Sequence, residues 1–203
     1  MNSVARGNTR DLRVLWALEE MAMPFEIVGL DHPAHDLETE TFRAMNPFCQ
    51  LPVIDDDGVV VTESTAILIY LAKKAGQLIP ADPAGEAQVV RWCLAAVSTV
   101  ELPLLTLQVM GFMKSDDAKT KGLLTGWAKR HLDGLERWLT GREFVAVDTF
   151  TIADILMSHV VAVVASPELL APCPHLRAYL ERCRARPAWQ RTIDAYCARV
   201  EAA

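Results

Sequence analysis

Up to about Gly76, short apolar runs alternate with segments in which hydrophobic residues recur at helical spacing, and beyond it the spacing is helical throughout. This change of period predicts two domains, 1–78 and 85–203, joined by a linker at 79–84 that contains two prolines. Strands are predicted at about 2–5, 25–30, 53–54 and 59–61. Helices are predicted at about 11–22, 64–75, 84–113, 117–140, 151–165, 174–185 and 187–200, and a loop with a short helix is predicted at 32–45. Pro103 is expected to bend the helix at 84–113.

The order of elements in the first domain is β-α-β-α-β-β-α, with Asp57-Gly58 as the turn signal of a hairpin. This order predicts a mixed four-stranded sheet in a thioredoxin-like arrangement. The predicted fold class is therefore an α/β N-terminal thioredoxin-like domain followed by an all-α C-terminal helical domain.

A helix-start signal lies at Phe150-Thr151-Ile152-Ala153-Asp154-Ile155. Thr151 is placed as the N-cap and Asp154, three residues later, completes a variant of the capping box, while Phe150 and Ile155 are spaced as a hydrophobic staple. We therefore expect Asp154 to be a folding residue and not a catalytic carboxylate.

Pro52 stands directly before a buried-looking strand, although proline has no N–H to give to a strand ladder. A cis Leu51-Pro52 bond is one explanation, since the cis form of an X-Pro bond costs only about 0.5–1 kcal/mol. In that geometry the N–H and C=O of Leu51 would be unpaired and available to a peptide-like ligand.

Glu63 and Ser64 follow the hairpin at the head of an apolar helix. They supply a carboxylate, a hydroxyl and the free N–H groups of a helix N-terminus. Glu63 would suit an ammonium group, and Ser64 with the helix end would suit a carboxylate. Beside the backbone of Leu51, these groups predict a site for a small peptide with an amino-acid head.

Composition excludes several other classes of function. The 203 residues are 51% hydrophobic with a formal charge of −6, and basic residues form no run, which disfavours nucleic acid. No uninterrupted apolar run reaches about 18 residues and no signal peptide is indicated, so no membrane partner and a cytoplasmic location are expected. The five cysteines lack CxxC spacing and are expected to be free thiols, and the histidines lack metal-ligand spacing, so no metal site is expected.

Short motifs over nearly the whole chain resemble the cytosolic glutathione S-transferase family, in a bacterial type. They are Gly7-Asn8-Thr9, the stretch from Arg13 to Glu20, Asn46-Pro47, Leu51-Pro52-Val53, Thr62-Glu63-Ser64, the stretch from Phe150 to Asp154, and Ala185-Arg186-Pro187. The resemblance implies that glutathione is the co-substrate, lies between the two domains, and is added as a thiolate to a small hydrophobic electrophile. It also implies a homodimer.

By position in the family pattern, five residues form the glutathione site: Gln50, Leu51, Pro52, Glu63 and Ser64. Leu51, preceding Pro52, would bond its cysteinyl backbone, and Glu63 and Ser64 would hold its γ-glutamyl end. Gln50 would reach its glycyl carboxylate.

The catalytic position implied by the resemblance is Thr9, whose hydroxyl would donate a hydrogen bond to the thiolate. Asn8 and Arg10 are rival donors. Lowering a thiol pKa by about two units requires about 2.7 kcal/mol. A hydrogen bond to a charged group contributes about 1.5–3 kcal/mol and the adjacent helix N-terminus about 0.3–1 kcal/mol, so the two together suffice.

Several alternatives stay open at this stage. Cys49 stands where many relatives carry glycine, and is either an unreactive filler or a thiol that forms a mixed disulfide with glutathione. Glu101 is either an exposed, solvated carboxylate or a group that reaches the γ-glutamyl amine. Peroxide reduction, isomerisation and a non-catalytic binding module are alternatives to conjugation. The candidate substrate wall comprises Leu104, Leu105, Met110, Phe112 and Met113, for which core packing is the competing interpretation.

Overall fold

A computed structural model describes residues 9–30 and 35–202. The N-terminal part contains helix α1 (Asp11–Glu20), helix α2 (Glu40–Met45), strands β1 (Val53–Asp56) and β2 (Val59–Thr62), and helix α3 (Ser64–Ala75). The two strands pair antiparallel with Val53 opposite Thr62. Asp57 and Gly58 have φ values of 53° and 88°, as the tight hairpin predicted there requires at both central positions.

The predicted strand at 25–30 is wrong, because residues 23–30 have no regular secondary structure. Apolar side chains favour an extended backbone locally, but a strand exists only where a neighbouring strand completes the ladder of hydrogen bonds. Within residues 9–30 and 35–202, the sheet therefore has two strands rather than the predicted four. The predicted strand at 2–5 lies outside the described residues.

The second part of the chain is helical, as predicted. Its helices are α4 (Pro83–Leu94), α5 (Glu101–Phe112), α6 (Ala118–Leu139), α7 (Ile152–Val164), α8 (Pro167–Leu170), α9 (Pro174–Arg184) and α10 (Pro187–Ala202). Helix α7 is buried on nearly all sides and forms the centre of this part. The capping box predicted at its start is confirmed, because the N–H of Thr151 donates to Oδ2 of Asp154 at 2.9 Å.

Helices α4 and α5 are joined by a π-helical segment at Ala95–Val100, in which the N–H of Glu101 bonds the carbonyl of Ala96 five residues back. Pro103 lies two residues after Glu101, and it cannot donate to the carbonyl of Thr99. The irregularity predicted for this helix therefore takes the form of a wider turn just before the proline.

The continuous stretch 83–112 is long and apolar enough to cross a membrane by those two properties alone. It contains Arg91 and the buried Glu101, and it packs against α6 and α7. Core helices of globular proteins pass the same test, so the match is a weak indication of a membrane span.

One hydrophobic core runs through both parts of the chain. The ring of Trp16 on α1 lies 5.8 Å from that of Phe150 and 4.7 Å from that of Trp189 on α10. Two ion pairs also join α1 to α10 and the residue before it: Arg186 pairs with Glu20 at 2.7 Å, and Arg191 pairs with Glu19 at 2.8 Å. The last helix is therefore docked directly on the first.

Candidate active site

A cavity of about 250 Å³ opens where the N-terminal part meets the π-helical segment and α5. Its walls come from the start of α1, the loop before β1, the start of α3, the π-helical segment and the start of α5. The residues that line it are Arg10, Arg13, Asn46, Gln50, Leu51, Pro52, Glu63, Ser64, Thr65, Val97 and Glu101. All five glutathione-binding residues predicted from the sequence are thus brought together here.

The loop before β1 presents its backbone to the cavity. The Leu51-Pro52 peptide bond is cis, which confirms the interpretation of Pro52, and Leu51 is 45% exposed. The N–H and C=O of Leu51 have no hydrogen-bond partner among the described residues. They are therefore free to pair with an extended, peptide-like ligand.

Asn46 holds this loop in place, a role that the sequence analysis did not assign. It is buried, its Nδ2 donates to the carbonyl of Gln50 at 2.7 Å, and its Oδ1 accepts from the N–H of Phe48 at 3.0 Å. Cys49 between them has a φ of 53°, in the left-handed region that glycine adopts most easily. A glycine at this position in relatives is consistent with that backbone conformation.

Glu63 and Ser64 form the opposite wall. Glu63 has a φ of 67° and a ψ of 115°, an unusual conformation for a residue with a side chain, and it places its exposed carboxylate just before α3. Ser64 is buried at the helix start, where the first-turn N–H groups lack partners within the helix. The two side chains flank the end of the helix as the sequence predicted.

A buried arginine, Arg13, joins the two parts of the chain. Arg13 is 2% exposed, and its NH2 group donates to Oε1 of Glu101 at 2.7 Å, while its NH1 group donates to Oγ of Ser64 at 3.3 Å. Glu101 is only 6% exposed, so the interpretation of Glu101 as an exposed, solvated carboxylate is wrong. Its carboxylate is instead paired with Arg13, and charged groups are almost never buried without such a partner.

His159 on α7 completes the group around the arginine. Its Nδ1 accepts a hydrogen bond from Nε of Arg13 at 3.2 Å, and the side chain is 3% exposed. Burial, with smaller contributions from Arg13 and Arg184, lowers the pKa of His159 to about 3. The imidazole is therefore neutral at ordinary pH. Burial also lowers the pKa of Arg13, an effect that the charge of Glu101 opposes.

The three candidate thiol donors are placed differently. Thr9 is exposed just before α1, where its carbonyl accepts from the N–H of Leu12 at 3.2 Å, and the described residues that line the cavity do not include it. Arg10 lines the cavity, with Nε 3.7 Å from Oε1 of Glu101. Asn8 lies outside the described residues. The choice among the three stays a prediction.

The candidate substrate wall is not a single surface. Leu104 is buried in the core, whereas Phe112 and Met113 are exposed at the far end of α5. None of the predicted wall residues is among those that line the cavity. From the helical part of the chain, Val97 of the π-helical segment is the apolar residue that lines the cavity.

Arg13 and His159 are site residues that were not predicted from the sequence. Arg13 sits among Leu12, Val14 and Trp16 on a helix whose buried face is otherwise apolar, and a charge in such a position is the one signal that pointed to it. No pattern in α7 distinguishes His159 from an ordinary core histidine. Across residues 9–30 and 35–202, no group of three or more metal-ligating side chains is present.

Comparison with known proteins gives the family. The model for the glutathione S-transferase N-terminal domain matches residues 12–74, and that for the C-terminal domain matches residues 105–198. Glutathione S-transferase 3 of Zea mays is 31% identical over 199 residues, which cover 91% of this chain and 88% of the relative. The chain belongs to the glutathione S-transferase family.

Two solved structures resemble the protein closely. A glutathione transferase from Burkholderia graminis, with two glutathione molecules bound per subunit, has a TM-score of 0.82 at 31% identity. The match covers 92% of this chain and 85% of the Burkholderia graminis chain. A glutathione transferase from Pseudomonas putida, with one glutathione disulfide bound per subunit, has a TM-score of 0.83 at 25% identity, over 92% and 87% of the two chains.

Proposed function

We propose that the protein binds glutathione in the cavity between its two parts, stabilises the thiolate and adds it to a small, hydrophobic electrophile. The observation that carries the proposal is the exposed backbone of Leu51 facing the Glu63-Ser64 end of α3 across one cavity. Leu51 would pair with the cysteinyl backbone, Glu63 and Ser64 would hold the γ-glutamyl head, and Gln50 would take the glycyl carboxylate. The cavity holds charges of both signs, which suits a zwitterionic head.

The thiol group would lie toward the start of α1. We assign its activation to the hydroxyl of Thr9, which would donate a hydrogen bond to the thiolate. Thr9 precedes the N-terminus of α1, whose partial positive charge favours the same anion. Arg10 and Asn8 are the alternative donors.

A conjugation assay with an aryl halide, run beside titration of the bound thiol, tests this mechanism. Thr9→Ala should raise the pKa of bound glutathione by about one to two units and lower kcat/KM about 10- to 100-fold, because the lost hydrogen bond contributes about 1.5–3 kcal/mol. Thr9→Ser keeps a hydroxyl and should retain most of the activity. Glu63→Ala should act mainly on KM.

The outcomes separate the alternatives. A Thr9→Ala protein with wild-type activity and thiol pKa rejects the threonine, and Asn8→Ala and Arg10→Ala are then compared in the same way. Binding of glutathione without ionisation of its thiol would indicate a non-catalytic binding module. Absence of glutathione binding would reject the whole proposal.

A second candidate reaction is supported by the ligands of the structural neighbours, two glutathione molecules in one and glutathione disulfide in the other. In this reaction, the bound thiolate attacks a disulfide of the substrate, forms a mixed disulfide and releases the other sulfur as a thiol. A second glutathione then attacks the mixed disulfide, so that glutathione disulfide leaves and the substrate is reduced. Turnover of a small disulfide without turnover of aryl halides or peroxides would favour it.

We also propose a cytoplasmic homodimer of bacterial type with a role in detoxification. All five cysteines are free thiols, as a reducing compartment maintains them. The bacterial type is supported by the Burkholderia graminis neighbour, although the maize relative is equally similar in identity.

A further inference from the structure

We propose that Arg13 is a positioning residue that turns the hydroxyl of Ser64 toward the cavity as a hydrogen-bond donor and so makes the start of α3 selective for a carboxylate. The inference rests on the proposed function, since the carboxylate in question is that of the γ-glutamyl head. Arg13 lines the cavity, but it is not among the residues that the sequence predicts to hold glutathione.

The direction of the hydrogen bond follows from the chemistry of the two groups. A guanidinium has five N–H donors and no acceptor, so in the 3.3 Å contact NH1 of Arg13 donates and Oγ of Ser64 accepts. A hydroxyl has only one hydrogen, and Oγ of Ser64 has no other partner in the described part of the chain. That hydrogen is therefore left for a ligand in the cavity that Ser64 lines.

The charge of the arginine strengthens this preference. The guanidinium lies within 3.3 Å of the hydroxyl oxygen, and Arg13 and Ser64 both line the cavity. A positive charge at this distance favours an anion at Ser64 and opposes an ammonium there. Glu63, whose carboxylate is exposed at the neighbouring position, is left to the ammonium.

Arg13 holds its orientation because its other contacts fix the guanidinium on two further sides. Nε donates to Nδ1 of His159 at 3.2 Å and NH2 donates to Oε1 of Glu101 at 2.7 Å. A planar fork anchored at both ends cannot rotate away from Ser64. A lysine could satisfy only part of this set, since its ammonium is a single point of charge.

Equilibrium binding of two peptides tests the inference. One is glutathione, and the other is 4-aminobutyryl-cysteinyl-glycine, which keeps the ammonium but lacks the α-carboxylate of the γ-glutamyl group. The wild type should prefer glutathione, and Arg13→Gln should lower that preference about tenfold, the effect of one weakened hydrogen bond to a charged group. If Arg13 served only to hold the fold, its substitution would weaken the binding of both peptides by the same factor.

Two further variants keep the test decisive. Arg13→Lys preserves the buried charge beside Glu101 and should therefore fold even if Arg13→Gln does not. Its preference for glutathione should be about threefold lower than that of the wild type. In a Ser64→Ala background, either substitution should change the preference much less than in the wild type, because the hydroxyl through which Arg13 mainly acts is gone. The matched control is Arg186→Gln, which removes another paired arginine, bonded to Glu20 at 2.7 and 2.8 Å, away from the cavity.

Each result has one meaning. A folded Arg13 variant with the wild-type preference overturns the role of Arg13 and leaves the proposed function intact. A wild-type protein that binds neither peptide overturns the proposed function together with the inference. A wild type that binds both peptides equally overturns the inference, because no selectivity for the carboxylate then exists.

Discussion

His159 is neutral and buried in the folded protein, and this has a measurable effect on stability. Its pKa falls from the ordinary value of 6.5 to about 3 on folding, so between these values the unfolded chain binds a proton that the folded protein does not. Stability is therefore lost as the pH falls below about 6.5. The charged neighbours Arg13 and Arg184 act in the same direction as burial.

We expect this histidine alone to remove about 2 kcal/mol of stability between about pH 7 and pH 5, since each pH unit in the window contributes up to about 1.4 kcal/mol. Urea unfolding of the wild type and of His159→Asn at both pH values measures the effect, because asparagine offers Arg13 an acceptor oxygen but does not titrate. Carboxylates contribute equally to both proteins and cancel. Parallel pH curves for the two proteins would contradict the assignment.

At the scale of single residues, the sequence was sufficient to predict a site residue where that residue acts through its own backbone or its place at a helix end. Pro52 and Ser64 are of this kind, and both line the cavity. Arg13 and Glu101 act through each other across 88 residues of sequence. Their burial and pairing are properties of the packed protein, which a reading of each residue in its own segment does not contain.

Among the elements, helix α7 depends most on a single side chain. Asp154 is fully buried and accepts from the N–H of Val145 at 2.9 Å, the N–H of Thr151 at 2.9 Å and the hydroxyl of Tyr179 at 3.1 Å. The carboxylate thus joins the start of α7 to the preceding loop and to α9. Burial raises the pKa of Asp154, and these hydrogen bonds oppose the rise.

We expect Asp154→Ala to lower the free energy of unfolding by about 3 kcal/mol or more, because several buried donors lose their partner at once. Asp82→Ala is the matched control, since Asp82 caps α4 in an exposed position through one bond, from the N–H of Gly85 at 2.8 Å, and its loss should cost about 1 kcal/mol. Denaturant titration compares the two. Equal losses would show that Asp154 is an ordinary helix cap.

Helices were predicted more accurately than strands in this chain, and the reason is physical. A helix closes its hydrogen bonds within one segment, so the spacing of apolar residues and the caps locate it, as at Ser64–Ala75 and Ile152–Val164. A strand depends on a partner elsewhere in the sequence. The hairpin with its Asp57-Gly58 turn carries that partner with it, whereas the segment 25–30 does not.

At the scale of the whole molecule, exposed apolar side chains favour a dimer. Phe48 is 71% exposed beside the cavity loop, and Leu102 is 51% exposed on α5. In the arrangement that the family suggests, the N-terminal part of one subunit meets the helical part of the other, and these two side chains would lie on the surfaces that come together. Burial of such residues stabilises association by about 1.5–3 kcal/mol each.

Light scattering should therefore give about twice the chain mass of 22.5 kDa. The double variant Phe48→Ser with Leu102→Glu should shift the protein toward the monomer, because it removes apolar contact and adds an unpaired charge. Gln190→Glu adds the same charge on the exposed side of α10 and should leave the mass unchanged. A monomeric wild type would reject the dimer.

The contact of Trp16 with Phe150 and Trp189 limits how this protein can be recombined with its relatives. A chimaera cut at the predicted linker would take Trp16 from one parent and Phe150 and Trp189 from the other, so the three ring surfaces would no longer be matched. Exchange of substrate preference between relatives would therefore require grafting the first helix together with the last.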